Sequence, residues 1–369
     1  MLRKNLKNII SAFVVAAVWM LLVLYCWLKP ADDISYSERR KLAQPPELNY
    51  QTAISGEFMD DFETYAQDQF PERDSFRRLK AVTRFYIFDQ KDNNDIYMQD
   101  GYAAKLEYPL NESSIIYAAE KFQHLYEKYM KEKKLKVYLS VVPDKGYFLA
   151  KDNGYPSMDY DRLFELMKNN TEFARYIDIT DTLKVTDYYK TDIHWRQEKI
   201  VDVAEKIGAA MGISDKLSGN YTKIDSGVPF YGVYYGQSAL PLDYEKLYYL
   251  VNDTIENCTV YNYETDNTTS VYDTERLHGK DAYDVFLSGA APLLVIENPN
   301  ADTDKELIVF RDSFGSSLVP LLTEGYSKIT LVDIRYVASD MLENFITFDK
   351  QDVLFLYSTL TLNSSAMLK

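Results

Sequence analysis

The sequence predicts an α/β fold: a mostly parallel sheet flanked by helices, with a β-rich insertion and an N-terminal transmembrane helix. Three observations lead there. From residue 111 onward, short runs rich in Val, Ile and Leu alternate with helical segments. Strands buried on both faces read as unbroken apolar runs, and intervening helices supply the crossovers that parallel strands need. Between about residues 218 and 300 the pattern changes to short alternating runs such as FYGVYYG, KLYYLVN and CTVYNYE, and near the start lies a long stretch without any charge.

That stretch, Ile9–Leu28, holds twenty residues (IISAFVVAAVWMLLVLYCWL). At about 1.5 Å per residue it matches the roughly 30 Å hydrocarbon core of a bilayer. Arg3, Lys4 and Lys7 precede it; Lys29, Asp32 and Asp33 follow. Basic residues favour the cytoplasmic side, so residues 1–8 form a cytoplasmic tail, 9–28 a single-pass anchor in the cell membrane, and the C-terminal domain is extracytoplasmic. A cleaved signal peptide would want small residues near its cleavage site, and a lipoprotein site at Cys26 would want one before it. Tyr25-Cys26-Trp27 supplies neither.

The whole chain has 369 residues, 41 basic and 56 acidic, for a net charge of −15. Beyond Leu28 the counts are 38 and 56, so that part carries −18. An acidic body argues against nucleic acid as a partner. Two cysteines exclude a disulfide framework and a multi-cysteine zinc site. Three histidines leave no poly-histidine centre, and neither metal nor cofactor is expected. Cys258 reads as a small buried hydrophobe rather than a nucleophile.

Residues 29–55, polar and dotted with Pro30, Pro45 and Pro46, read as a linker to a domain over 56–369. Phe58, Phe62, Tyr65, Phe70, Phe76, Leu79, Val82 and Phe85 form an i, i+3/i+4 stripe broken by Pro71, which predicts two amphipathic helices. Asp100-Gly101 marks a hairpin turn within 95–102. Helices are then expected over 111–134, 159–169, 196–211 and 316–323, and strands over 135–142, 174–179, 306–310, 328–334 and 352–358. Residues 218–300 are the insertion.

Two motifs carry chemistry. In ELIVFRDSFGSS (306–317) an apolar strand runs into Asp312-Ser313 and a helix start. A serine there stands at the carboxyl end of a parallel strand, where open α/β sheets carry their sites, beside unpaired N–H groups. Its hydroxyl needs a base, and the base a carboxylate that fixes its tautomer. In YYKTDIHW (188–195), Asp192 and His194 stand two apart before a helix. Taken singly, the serine reads as a helix N-cap and the Asp-His pair as a surface hydrogen bond. They form a site only if both segments end on one side of the sheet.

At these motifs the sequence resembles the DHHW family of bacterial envelope proteins. That family is similar to the SGNH-hydrolase-like proteins that O-acetylate alginate in the periplasm. The resemblance runs over about residues 35–369 and takes in DQFPER (68–73), VVPDK (141–145), YYKTDIHW, SFGSS and VDIR (332–335). It implies an SGNH-hydrolase-like fold, with Ser313 as nucleophile, His194 as base and Asp192 as the acid that orients it. The implied function is a membrane-anchored O-acetyltransferase or acetylesterase on a cell-envelope or exopolysaccharide, with a membrane-bound O-acyltransferase as acetyl donor. Two positions depart from the pattern: Arg311 stands where glycine usually precedes Asp-Ser, and Ile193 replaces the second histidine. Lys145 and Arg335, expected at strand ends near the site, are candidates for binding substrate or for ion pairs. The tyrosines at 231, 234, 235, 244, 248 and 249 suit sugar stacking or simply strand formation. The alternative function is a non-catalytic envelope module of degenerate SGNH fold that binds glycan or a protein partner.

Overall fold

The computed structural model describes residues 2–369, with side chains from Leu6 onward, and divides into two units. The first comprises the chain up to Asn93 together with Gly236–Pro241. It begins with one helix, Leu2–Leu28, whose segment Leu6–Leu28 contains an 18-residue stretch of mean hydropathy 2.6, none of it buried. That segment is long and apolar enough to cross a membrane. A short ladder, Ile34–Ser35 against Arg40–Lys41, follows, then helices Tyr50–Ser55, Glu57–Asp68 and Arg73–Val82. Asn49 caps the first of these, its side chain accepting from Thr52 N. Gly56, at φ +85°, provides the left-handed residue that separates it from the second. Pro71 falls between the second and third, as the broken stripe predicts, and the third continues into a wider turn over Thr83–Ile87.

The second unit, residues 94–235 and 242–369, is built on an eight-stranded sheet. In chain order its strands are β1 (Lys136–Val142), β2 (Arg175–Tyr176), β3 (Thr259–Asn262), β4 (Asn267–Ser270), β5 (Leu293–Glu297), β6 (Glu306–Arg311), β7 (Lys328–Val332) and β8 (Asp352–Ser358). Across the sheet they run β4-β3-β5-β7-β6-β8-β1-β2. The stretch from β7 to β2 is parallel throughout, while β5, β3 and β4 add antiparallel.

The central strands are apolar at nearly every position because both faces are covered. Leu139, Phe310 and Phe355 pack towards helices Glu112–Leu125 and Tyr160–Asn170. Val309, Leu354 and Leu356 face the opposite layer with helix Val201–Met211. The pleat sends successive residues to alternate layers.

Three elements differ from expectation. The strand expected over 174–179 is confined to Arg175–Tyr176, because Asp178 accepts from Thr180 N and Oγ1 and closes a local turn that competes with the ladder. The helix expected at 316 begins at Phe314, with Ser313 at its N-cap. Within 218–300, Thr222–Phe230 and Glu245–Val251 pair as a separate ribbon, whereas β3, β4 and β5 extend the main sheet.

Candidate active site

Parallel register fixes where the strand ends fall. Arg311 pairs with Leu356 and Ser358 with Val142, so Asp312-Ser313, Thr359 and Asp144 gather at one edge of the sheet. Strand β6 ends at Arg311, and two residues later the helix Phe314–Leu318 starts. Asp312 sets the turn between them. Its carboxylate accepts from Phe314 N (3.1 Å), Ser358 N (2.8 Å), Ser358 Oγ (2.7 Å) and Thr361 Oγ1 (2.8 Å). Ser313 is thereby left half-buried at the edge.

Residues 188–195 reach that edge as a narrow loop. Tyr188 bridges to Trp195, Tyr189 N donates to His194 O, and Arg196 N donates to Asp187 O. Glu245 clamps the tip, accepting from Lys190 N, Thr191 N and Thr191 Oγ1 at 2.8, 2.8 and 2.9 Å. Gly232 passes so close beneath it that a Cβ there would lie 2.2 Å from Thr191 O and 2.3 Å from Asp192 N. No other residue fits that approach.

The loop presents His194 to Ser313, with His194 Nε2 2.7 Å from Ser313 Oγ. His194 Nδ1 lies 2.6 Å from Asp192 Oδ1, which also accepts from His194 N at 3.1 Å. Asp192 Oδ2 accepts from Val233 N at 2.8 Å. Asp192 is wholly buried and His194 is 5% exposed. With Nδ1–H turned to the carboxylate, Nε2 is the acceptor for the serine proton. The structure therefore brings together all three residues of the sequence motif pair.

Several supporting groups lie outside both motifs. Tyr283 stacks flat on the His194 ring, with centroids 3.9 Å apart and planes 5° apart, and its hydroxyl meets Ser317 Oγ at 2.7 Å. Trp195 Nε1 donates to Ser317 Oγ (2.9 Å) and Phe314 O (3.2 Å), pinning the histidine loop to the helix after Ser313. Gln197 Nε2 donates to Ser317 O, and its Oε1 accepts from Leu250 N. Tyr283 is some ninety residues from His194, and nothing in its local sequence marks it.

The two cations expected near the site are both occupied. Lys145 is 2% exposed and donates to Tyr189 O (2.9 Å) and Lys190 O (3.1 Å), with its ammonium 4.9 Å from the Tyr234 ring centre. Burial pushes its pKa down to about 7, although Asp192 and Glu245 partly oppose the shift. Arg335 is held by Asp333, with Nε–Oδ1 at 2.8 Å and Nη2–Oδ2 at 2.6 Å.

Arg311, in the position glycine usually takes, stays in the strand and is fully buried. Its Nη1 donates to Ser316 Oγ at 3.0 Å, while burial lowers its pKa. The space comes from Gly315, where a Cβ would lie 2.8 Å from Arg311 Cβ. Among the described residues, no group of His, Cys, Asp and Glu is arranged to hold a metal ion.

No protein-family model and no curated protein matches the chain. Among solved structures, it is similar to a DHHW family protein from Eubacterium siraeum. That match has a TM-score of 0.59 at 22% identity and covers 73% of this chain and 93% of that one. It is also similar to PatB1 from Bacillus cereus, solved with a sulfonyl adduct, at TM-score 0.59 and 19% identity over 74% and 96% of the two chains. A weaker likeness, TM-score 0.44 at 12% identity over 73% and 92%, is to the O-acetyltransferase domain of AlgJ from Pseudomonas putida. The fold is therefore the α/β arrangement shared with the DHHW family protein and PatB1, a mostly parallel sheet covered by helices on both faces.

Proposed function

We propose that the chain is a membrane-anchored, outward-facing O-acetyltransferase or acetylesterase that acts on a cell-envelope or secreted polysaccharide through an acetyl-serine. One observation carries the reading: a continuous hydrogen-bonded run from Asp192 through His194 to Ser313, open to solvent only at its serine end. The acetyl group and the polysaccharide come from the sequence resemblance, not from the geometry.

In this reading His194 Nε2 takes the Ser313 proton as Oγ attacks the carbonyl carbon of an acetyl donor. The tetrahedral oxyanion is met by the Ser313 N–H, which has no acceptor among the described residues. On collapse, the bond to the donor's leaving oxygen breaks and His194 returns the proton to that oxygen. A sugar hydroxyl, or water, then gives its proton to Nε2 and attacks the acetyl-serine. Ser313 Oγ leaves, is reprotonated from His194, and the acetyl ester or acetate departs. Asp192 stabilises the imidazolium in both halves.

Arg335, still partly exposed, is the substrate-side cation of this scheme, and Lys145 acts through the carbonyls it holds beneath the loop. A membrane-bound O-acyltransferase is the proposed donor, which gives the helix over residues 6–28 a purpose as an anchor.

The test is the full-length chain in detergent, assayed with a chromogenic acetyl ester and with an aryl sulfonyl fluoride. The expected result is turnover, with a sulfonyl label on Ser313, both lost in Ser313→Ala. Equal turnover in the two proteins would sink the reading.

A further inference from the structure

Helix Arg73–Val82 and the turn Thr83–Ile87 are built inside out. In a helix on a soluble body the apolar stripe faces inward and the charges face water. Here two arginines, Arg73 and Arg77, face the protein. The Arg73 and Arg77 side chains are only 18% and 16% exposed, and both pair with Glu38; Arg77 Nη2 reaches Glu38 Oε1 at 3.2 Å and Gly236 O at 2.7 Å. Ala81, on the same side, is fully buried. The apolar stripe points out: Phe76 is 52% exposed, Leu79 61%, Tyr86 75% and Ile87 70%, and Phe88 beyond it 66%. Spacings of three and four residues keep Phe76, Leu79, Thr83 and Tyr86 on one face.

Two further facts point to what covers this face. Residues 73–88 hold five basic side chains and one acidic, a net +4 on a body of −18, with Arg78 and Lys80 exposed beside the stripe. The helix is also tied to the foot of the apolar N-terminal helix. Gln69, just before it, accepts from Asp32 N (2.8 Å) and donates to Asp32 O (2.9 Å) and Ala43 O (3.0 Å). Asp68 accepts from Arg40 Nη1 (2.7 Å) and Ala43 N (2.9 Å). Asp32 is four residues past Leu28, so the start of the inverted helix is held where the chain would leave a bilayer.

We propose that residues 73–88 lie flat on the outer membrane leaflet, with Phe76, Leu79, Tyr86 and Ile87 in the headgroup–acyl boundary and the flanking cations on anionic phospholipid. Aromatic and aliphatic residues on one face with Arg and Lys beside them suit that interface. The inference rests on the anchor reading of the N-terminal helix. It adds a second contact that fixes how the first unit stands on the membrane, where the anchor alone leaves it free to rotate.

The experiment uses the full chain in vesicles of phosphatidylglycerol and phosphatidylcholine. An environment-sensitive fluorophore is placed on one cysteine at a time: native Cys26 within the anchor, Leu79→Cys, Ile87→Cys, and the exposed Met341→Cys as a position on the other unit. The last three carry Cys26→Ser, and all carry Cys258→Ala. Brominated phospholipid should quench the label at 26, 79 and 87 several-fold more than at 341. Quenching at 79 and 87 should weaken when phosphatidylglycerol is omitted. If Cys26 is quenched but 79 and 87 match 341, the surface proposal is overturned and the anchor stands; a protein partner or second copy on the stripe gives this result. No quenching at Cys26 overturns both. The three labelling substitutions fall on exposed side chains, and an unchanged melting temperature verifies that the fold is intact with the buried Cys258→Ala in place.

Discussion

Two buried aspartates flank the reacting atoms, and they do opposite work. Asp192 and Asp312 are 0% and 1% exposed, and each sits within two residues of a member of the proposed triad. Asp192 turns its carboxylate along the sheet edge to His194 Nδ1, and also accepts from His194 N and Val233 N. Asp312 turns its own back into the neighbouring strand end, where Ser358 and Thr361 fill it. Asp312 is adjacent to Ser313 in sequence yet holds no triad partner. Asp192 is 121 positions away and is linked to the serine through the hydrogen bonds of the His194 ring. Which carboxylate orients a base is set by the strand it lies beside, not by its distance along the chain.

Replacing Asp192 separates the two roles most sharply. In Asp192→Asn an amide NH₂ must face either the His194 ring or Val233 N, both donors in the native arrangement. If it faces the ring, the imidazole flips to the tautomer that cannot accept the serine proton. Under the proposed mechanism, acetyl-ester turnover should fall by about 10⁴-fold, the magnitude seen when a triad aspartate loses its charge. The melting temperature should change little. A variant that keeps a tenth of parental turnover would remove Asp192 from the mechanism.

Asp312→Ala should do the reverse in kind. It leaves Ser358 N, Phe314 N and two hydroxyls without their charged acceptor in a buried site, a loss of about 3 kcal/mol or more. Urea unfolding would show the midpoint shift. Turnover per folded molecule should fall far less than in Asp192→Asn, because His194 and its carboxylate are untouched. If turnover collapses while stability holds, the division of labour between the two aspartates is wrong.

Trp195→Phe tests the join between the two regions. The indole N–H is the direct link from the histidine loop to Ser317 and Phe314 O. A ring of similar shape without the donor should cost about 1 kcal/mol of stability. Turnover should drop several-fold, with the larger share in kcat, since the His194–Ser313 distance would loosen while the substrate surface stays. Sulfonyl labelling of Ser313 should slow in proportion.

How much of this was legible from the sequence follows the same line. The parallel core could be read because β1, β6, β7 and β8 are buried on both faces and so appear as plain apolar runs. Ser313 could be singled out because it follows such a run, whereas Asp192 and His194 lie in a loop and stood out only by their spacing and by the motif. Strands β3 and β4, at one end of the sheet, were read only as generic β-structure, since one exposed face gives alternation without telling which sheet it joins. Tyr283 was invisible because its partner is brought to it only by the fold. Lys145 and Arg335 were correctly placed at strand ends, but a sequence does not show that backbone carbonyls and Asp333 already occupy them. Nor does a sequence show that Arg311 is buried and that Gly315 leaves the room for its side chain.

A pH-dependent effect concerns the cations beside the two aspartates. Arg311 lies near Asp312 and Lys145 near Asp192, and of the two only Lys145 titrates in an accessible range. Its pKa is about 7 in the folded chain against an ordinary 10.5. Between those values the unfolded chain holds a proton that the folded chain has released, so stability rises with pH across the window. Below pH 7 both states are charged and this contribution is flat and at its least favourable. Lys145→Met should remove the rise. Comparing urea midpoints at pH 7 and pH 9.5, the parent should gain more than the variant, whatever constant offset follows from leaving Tyr189 O and Lys190 O without their donor. Equal gains in the two proteins would mean that Lys145 keeps its charge under the loop, and that the field of Asp192 and Glu245 outweighs burial.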